Sequence, residues 1–293
     1  MIKPGHSIAD LYKAVTPKHY EIKDASIAVR VYGQGPALVL IHGFIVHGYT
    51  WRKLLPELSK HFTCYVLDLP GFGDSRWSKK TGFTFTAQAD RLMQLFDKMG
   101  LDSFHILAHD TGASIARIVA SARPGMIAKL ILINTEIPGH RPPFIPMYQF
   151  LALLPGANMI FRSLLKIGFV VRSPLLLKPF FYDTSLLRDR ENIDPYLSPL
   201  KSSQDKMFGM LGYLKGIEWH VVDGFQETHK KIAAKTLFIW GEEDKTFPVR
   251  LAENMTTQFK APCRFTRIPK ASLMPHEERP GEILKYVIPF LLA

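Results

Sequence analysis

The chain has 293 residues, 47% of them hydrophobic and 22% charged, with a formal net charge of +11. That is enough apolar residue for one large core, alone or with an inserted subdomain, and too much for a disordered chain. The positive balance invites a nucleic-acid partner, but the Lys and Arg residues are scattered without a dense basic tract or a zinc-finger spacing, so none is expected.

The first residues, "MIKPGHSIADLYKAV", lack the continuous apolar stretch of a secretory leader. "HYEIK" (19–23) and "SIAVRVY" (26–32) alternate like the strands of a hairpin, and "ALVLI" (37–41) is the unbroken apolar run of a strand buried on both faces. "TWRKLLPELSKH" (50–61) predicts a helix, "FTCYVLDL" (62–69) a strand, and "TAQADRLMQLFDKMG" (86–100) an amphipathic helix ending at Gly100. "FHILA" (104–108) and "AKLILIN" (128–134) predict strands on either side of a helix, "GASIARIVASARP" (112–124). From 137 to about 230 the sequence is rich in Pro, Phe and Leu, with helical patterns and no clear strand. Strand–helix alternation resumes with "KTLFIW" (235–240), "VRLAENMTTQF" (249–259), "CRFTRI" (263–268) and "PGEILKYVIPFLL" (280–292).

This rhythm predicts an α/β fold with a doubly wound, mostly parallel sheet. Residues 1–136 and 231–293 form its core, and 137–230 are expected to be an inserted helical cap. The most apolar region, Phe150 to Phe181, is interrupted by Pro155, Lys166, Arg172, Pro174 and Lys178, so no membrane span is expected. Between Ile137 and Tyr182 there is no acidic residue, only Arg141, Arg162, Lys166, Arg172 and Lys178 among the charged types. Such a segment could favour a membrane surface or an anionic ligand, but we read it as a solvated basic face, with membrane association not expected. Cys64 and Cys263 sit in strand-like runs and read as two buried thiols of a cytoplasmic protein.

Chemistry concentrates in "LAHDTGASIA" (107–116). A buried strand, a tight turn flanked by the small residues Ala108 and Gly112, and a following helix make a nucleophile elbow, with Asp110 at its tip. "LVLIHGF" (38–44) has the strand-then-His-Gly form that supplies an oxyanion-hole N–H, and "LDLPGFGDS" (67–75) is the turn that follows the next strand. "IWGEEDKTFP" places Asp244 after a strand, and "MPHEERPGE" places His276 before the last helix, so the chain order is nucleophile, acid, base.

On these residues the chain resembles the α/β-hydrolase superfamily over nearly its whole length, and its Asp110 resembles the aspartate-nucleophile branch of epoxide hydrolases and haloalkane or haloacetate dehalogenases. The resemblance implies an alkyl ester on Asp110, cleaved by water that His276 activates, with Phe44 and Thr111 N–H groups holding the oxyanion. The acid that orients the base is Asp244, or Glu136 in "LILINTEIP". Tyr148 and Tyr213 would be the lid tyrosines that protonate an opened epoxide. Against dehalogenation, Thr111 stands where a halide-binding Trp is usual and Phe44 where Asn is common; Trp219 is the remaining candidate donor. Thr111 also departs from the epoxide hydrolases, as does the His42-Gly43-Phe44-Ile45 stretch, which lacks their proline.

The expected activity is therefore hydrolysis of a hydrophobic epoxide to a diol, with dehalogenation as the alternative and a non-catalytic receptor as a distant one. The expected partners are a small hydrophobic organic substrate and water. No cofactor or metal is implied, because His105 and His109 lie on a strand and its turn, where their spacing does not converge.

Overall fold

The structure, a computed structural model, describes residues 8–293. The expectation that no leader is present falls partly on residues 1–7, which lie outside the described residues. Among the described residues no helix is long and apolar enough to cross a membrane.

Among the described residues nine strands form one sheet: β1 (Lys18–Ile22), β2 (Ala25–Tyr32), β3 (Ala37–Ile41), β4 (Thr63–Asp68), β5 (Arg76–Trp77), β6 (Phe104–His109), β7 (Ile127–Ile133), β8 (Lys235–Gly241) and β9 (Cys263–Ile268). Their order is β1-β2-β4-β3-β6-β7-β8-β9, with β5 paired to β2. Strands β4 through β9 along this path are parallel, and β2 joins β1, β4 and β5 antiparallel. The central strands are apolar along their length because helices cover both faces: Leu38, Leu40, Ile106, Leu107, Leu130 and Ile131 have no exposed surface.

Strand β3 has β4 on one side and β6 on the other, so the chain reverses its direction of winding between β3 and β6. The loops leaving the carboxyl ends of these two strands diverge there and leave a crevice. Phe44 follows β3 and Asp110 follows β6.

The helix Phe85–Met99 starts at Thr84, whose side chain accepts from Ala87 N, and stops at Gly100 with φ 67°. The expected helix over 50–61 is reduced to a 3₁₀ turn at Gly48–Trp51 and one turn at Leu55–Leu58. Pro56, which is compatible only with a first turn, explains the break. Likewise 249–259 divides into an α-helical turn, Val249–Glu253, and a 3₁₀ stretch, Asn254–Gln258. Between β7 and β8 the described residues contain helices and no strand; one of these, Arg190–Ser202, carries two prolines, Pro195 and Pro199.

Candidate active site

Asp110 sits at φ 51°, ψ −129°, a backbone region that a non-glycine residue occupies only under constraint. The constraints are visible. Its N–H donates to the Asn134 carbonyl at 2.9 Å, its carbonyl accepts from Thr135 Oγ1 at 2.9 Å, and the helix Thr111–Ala122 begins at the next residue. Gly112 lets that helix approach the carboxyl end of β3: a Cβ there would lie 2.2 Å from the His42 carbonyl oxygen.

The loop after β3 supplies the other half of the site. The Phe44 N–H donates to Asp110 Oδ2 at 2.8 Å. The Thr111 N–H, next along the chain, also favours the charged form of the carboxyl. His42 holds this loop in place: Nε2 accepts from Leu69 N at 2.8 Å, which leaves Nδ1–H to donate to the Gly43 carbonyl at 2.8 Å. Ile45, next along, has φ 62°, an unusual conformation for a β-branched residue at the edge of the cavity.

The cavity above Asp110 is walled by apolar side chains from the segment between β7 and β8, including Phe144, Ile145, Phe161, Leu165 and Leu177. Asp110, Thr111, Glu136 and Tyr148 line it, along with Tyr196, which the sequence did not single out. Burial and the neighbouring Glu136 push the Asp110 carboxyl well above the usual aspartate range. Glu136 is also raised by burial, although Oε2 accepts from Ser114 Oγ at 2.6 Å and Thr135 Oγ1 at 3.0 Å.

A buried arginine organises this corner. Arg117 donates to Ser114 Oγ, Thr135 Oγ1 and the Glu136 carbonyl, all within 2.9 Å, and packs its guanidinium 3.9 Å from the Phe225 ring centroid. Burial lowers its pKa to about 9. Sequence reasoning missed Arg117; its only signal was a single cation inside the otherwise small and apolar run "GASIARIVA".

The expected nucleophile, acid and base are not assembled into one hydrogen-bonded set. Asp244 is buried, and Oδ1 accepts from Thr246 N and Phe247 N while Oδ2 accepts from Asn134 Nδ2 at 2.6 Å. Burial moves it up to about 7. His276 is fully buried, but its Nε2 meets Thr50 Oγ1 at 2.7 Å and its Nδ1 has no partner. Neither nitrogen bonds Asp110, Asp244 or Glu136. Burial, with Lys53 and Arg52 adding to it, moves His276 down to about 3.

The residue that the β9 loop turns into the cavity is Leu273, three positions earlier, with Met274 beside it. The Leu273 carbonyl accepts from His109 Nε2 at 2.9 Å, and the His109 ring lines the cavity with its centroid 4.5 Å from that of His276, which does not line it. The position of His276 just before the last helix suggested a base; which of the neighbouring positions faces Asp110 is set by the path of the loop.

The tyrosines also diverge. The Tyr148 ring lines the cavity, with its hydroxyl donating to the Leu175 carbonyl. Tyr213 is wholly buried and donates to Thr111 Oγ1 at 3.0 Å. Trp219 lies away from the cavity lining and gives its Nε1–H to Gln149 Oε1 at 2.8 Å. Among the described residues no cluster of His, Cys, Asp or Glu has a metal-binding arrangement.

Comparison with known proteins agrees with this architecture. A family model described as "alpha/beta hydrolase fold" matches residues 36–280. Human "Epoxide hydrolase 4" is 25% identical over 283 residues, covering 93% of this chain and 78% of that protein. The "Fluoroacetate dehalogenase" of Burkholderia sp is 31% identical over 120 residues, 39% of each chain. Among solved structures, "Epoxide hydrolase CorEH without ligand" superposes with a TM-score of 0.78 at 20% identity, covering 94% of this chain and 99% of that one.

Proposed function

The chain belongs to the α/β-hydrolase family and is a hydrolase, and from that premise we propose that it opens hydrophobic epoxides through a covalent ester on Asp110. One observation carries this reading: the elbow bears a carboxylate whose Oδ2 rests on the Phe44 N–H, in a cavity with apolar walls. A carboxylate so held has one oxygen on oxyanion donors and the other free to attack an sp³ carbon. Epoxide hydrolases among the relatives support the substrate class.

Attack forms an Asp110–carbon bond and breaks one ring C–O bond. The alkoxide released takes a proton from Tyr148, whose ring lines the cavity and whose hydroxyl must turn to it from the Leu175 carbonyl. Water then adds to the ester carbonyl, with the oxyanion on the Phe44 and Thr111 N–H groups; one water proton passes through the base to the alkoxide expelled as the intermediate collapses, the other restores the Tyr148 hydroxyl, and Asp110 and a diol are returned. We assign the base for this water to Glu136, which lines the cavity and whose raised pKa suits proton abstraction. Asp244 then acts by fixing the loop after β8. Trp219, engaged by Gln149, offers nothing to a departing halide.

Intact-protein mass spectrometry tests the scheme with matched panels of terminal epoxides and haloalkanes. The Glu136→Gln protein is expected to accumulate a hydroxyalkyl adduct mapped to Asp110, from epoxides only, while His276→Gln releases it as the wild type does. Accumulation in His276→Gln instead would return the base to that residue. Alkyl adducts with halide release would make the protein a dehalogenase.

A further inference from the structure

The inserted helices are apolar on two sides. Eleven of the sixteen large hydrophobic residues that stand exposed among the described residues fall between Met147 and Leu175. They include Phe150 (64% exposed), Leu153 (69%), Met159 (70%) and Phe169 (82%). In the helix Ala157–Lys166, Phe161 and Leu165 line the cavity while Met159, Ile160 and Leu164 face outward. The pieces of this segment are tied into one surface: the Tyr148 ring packs edge-on to Phe161, and its hydroxyl bonds the Leu175 carbonyl.

The charge on this surface has one sign. Lys166, Arg172 and Lys178 are exposed, and none forms an ion pair among the described residues. Elsewhere exposed cations do pair, as Arg123 with Asp97 and Arg267 with Glu253. Between Ile137 and Tyr182 the sequence provides no acid to pair with. A monomeric soluble protein rarely exposes so many neighbouring large apolar side chains without covering them. Apolar side chains interleaved with unpaired Lys and Arg are the composition of a face that lies in the interface of an anionic bilayer.

We propose that the outer face of residues 147–178 docks on an anionic lipid bilayer, with Phe150, Met159 and Phe169 entering the acyl boundary and Lys166, Arg172 and Lys178 at the headgroups. This replaces the expectation of a merely solvated basic face. It holds whatever reaction Asp110 performs, and it sets the hydrocarbon one helix away from the cavity.

The test is co-sedimentation of the full chain with vesicles of phosphatidylcholine alone or mixed with phosphatidylglycerol. Binding is expected to the mixed vesicles and to weaken at high salt. Reversing Lys166, Arg172 and Lys178 to Glu is expected to lower partitioning on the order of tenfold or more. A Phe169→Trp protein reads the contact directly: its indole emission shifts to the blue and is quenched by brominated acyl chains. An unshifted Phe169→Trp spectrum, or equal recovery in the supernatant with every vesicle, overturns the proposal. So does light scattering that gives a dimer, dispersed to monomer by Phe150→Ser and Phe169→Ser, in a protein that ignores vesicles, since a second copy would then cover this face.

Discussion

At Asp110 a strained backbone, two N–H donors and an apolar cavity act on the same carboxylate, and they do not all push the same way. The donors favour its charged form, while burial and the Glu136 charge oppose it and win. Only the ionised form attacks, so single-turnover alkylation is expected to fall, as pH is lowered, well before an ordinary aspartate would protonate. Glu136→Gln removes the neighbouring charge and should move that fall to lower pH; rate–pH profiles of adduct formation that coincide for the two proteins would show that the two carboxyls do not interact. Leu273 gives a second test at this scale. It lines the cavity with Asp110, Thr246 and Phe247, and the last two donate to Asp244. Leu273→His would introduce an imidazole there and is expected to speed release of the Asp110 ester, by about 10²-fold if the ring acts as a general base. Unchanged ester lifetime in stopped turnover would show that Leu273 does not face the reacting carbon.

At the scale of elements, the site depends on how closely β3, β6 and the helix Thr111–Ala122 approach. A Cβ on Gly112 would meet the His42 and Ile41 carbonyl oxygens at 2.2 and 2.8 Å, both backbone atoms that cannot turn aside. Gly112→Ala is expected to cost at least about 1–3 kcal/mol in denaturant unfolding, the range for overpacking. It should also abolish adduct formation by shifting Asp110 off the Phe44 N–H. Gly125→Ala is the matched control, because nothing lies within 4 Å of a Cβ there. Equal stability of the two variants would mean the elbow can relax. The same close approach explains why "GASIARIVA" is built of small residues, yet it gave no hint that Arg117 would reach Thr135 and Glu136 from the next loop.

Across the whole molecule, several acids are held in the interior near the carboxyl ends of the strands, and this sets the pH dependence of stability. Asp244 rises from an ordinary 3.8 to about 7 in the folded chain, chiefly through burial. Below the lower value both states hold the proton and nothing is lost. Between the two values the unfolded chain releases a proton that the folded chain keeps, so this group's contribution falls as pH rises, then levels off above about 7. Thermal unfolding of Asp244→Asn is expected to lack that decline, gaining on the wild type between those values whatever its offset from the altered contact with Asn134. Parallel melting profiles would show that Asp244 is ionised in the fold throughout.

The alternation of apolar runs and turn residues was sufficient to place nearly every strand, because each central strand is buried on both faces and must be apolar throughout. It was also sufficient for the elbow, since strand and helix cannot meet there without Ala108 and Gly112. The two-residue strand β5 was too short to leave a pattern, and Pro56, held to a first turn, divided a helix whose apolar spacing runs across it. The partners of Asp110 were decided by tertiary structure. Which of Leu273 and His276 enters the cavity depends on the turn of one loop, and spacing along a chain does not record it. The exposed apolar face was hidden for a related reason: a helix apolar all round looks the same in sequence whether its second side meets protein or is left open.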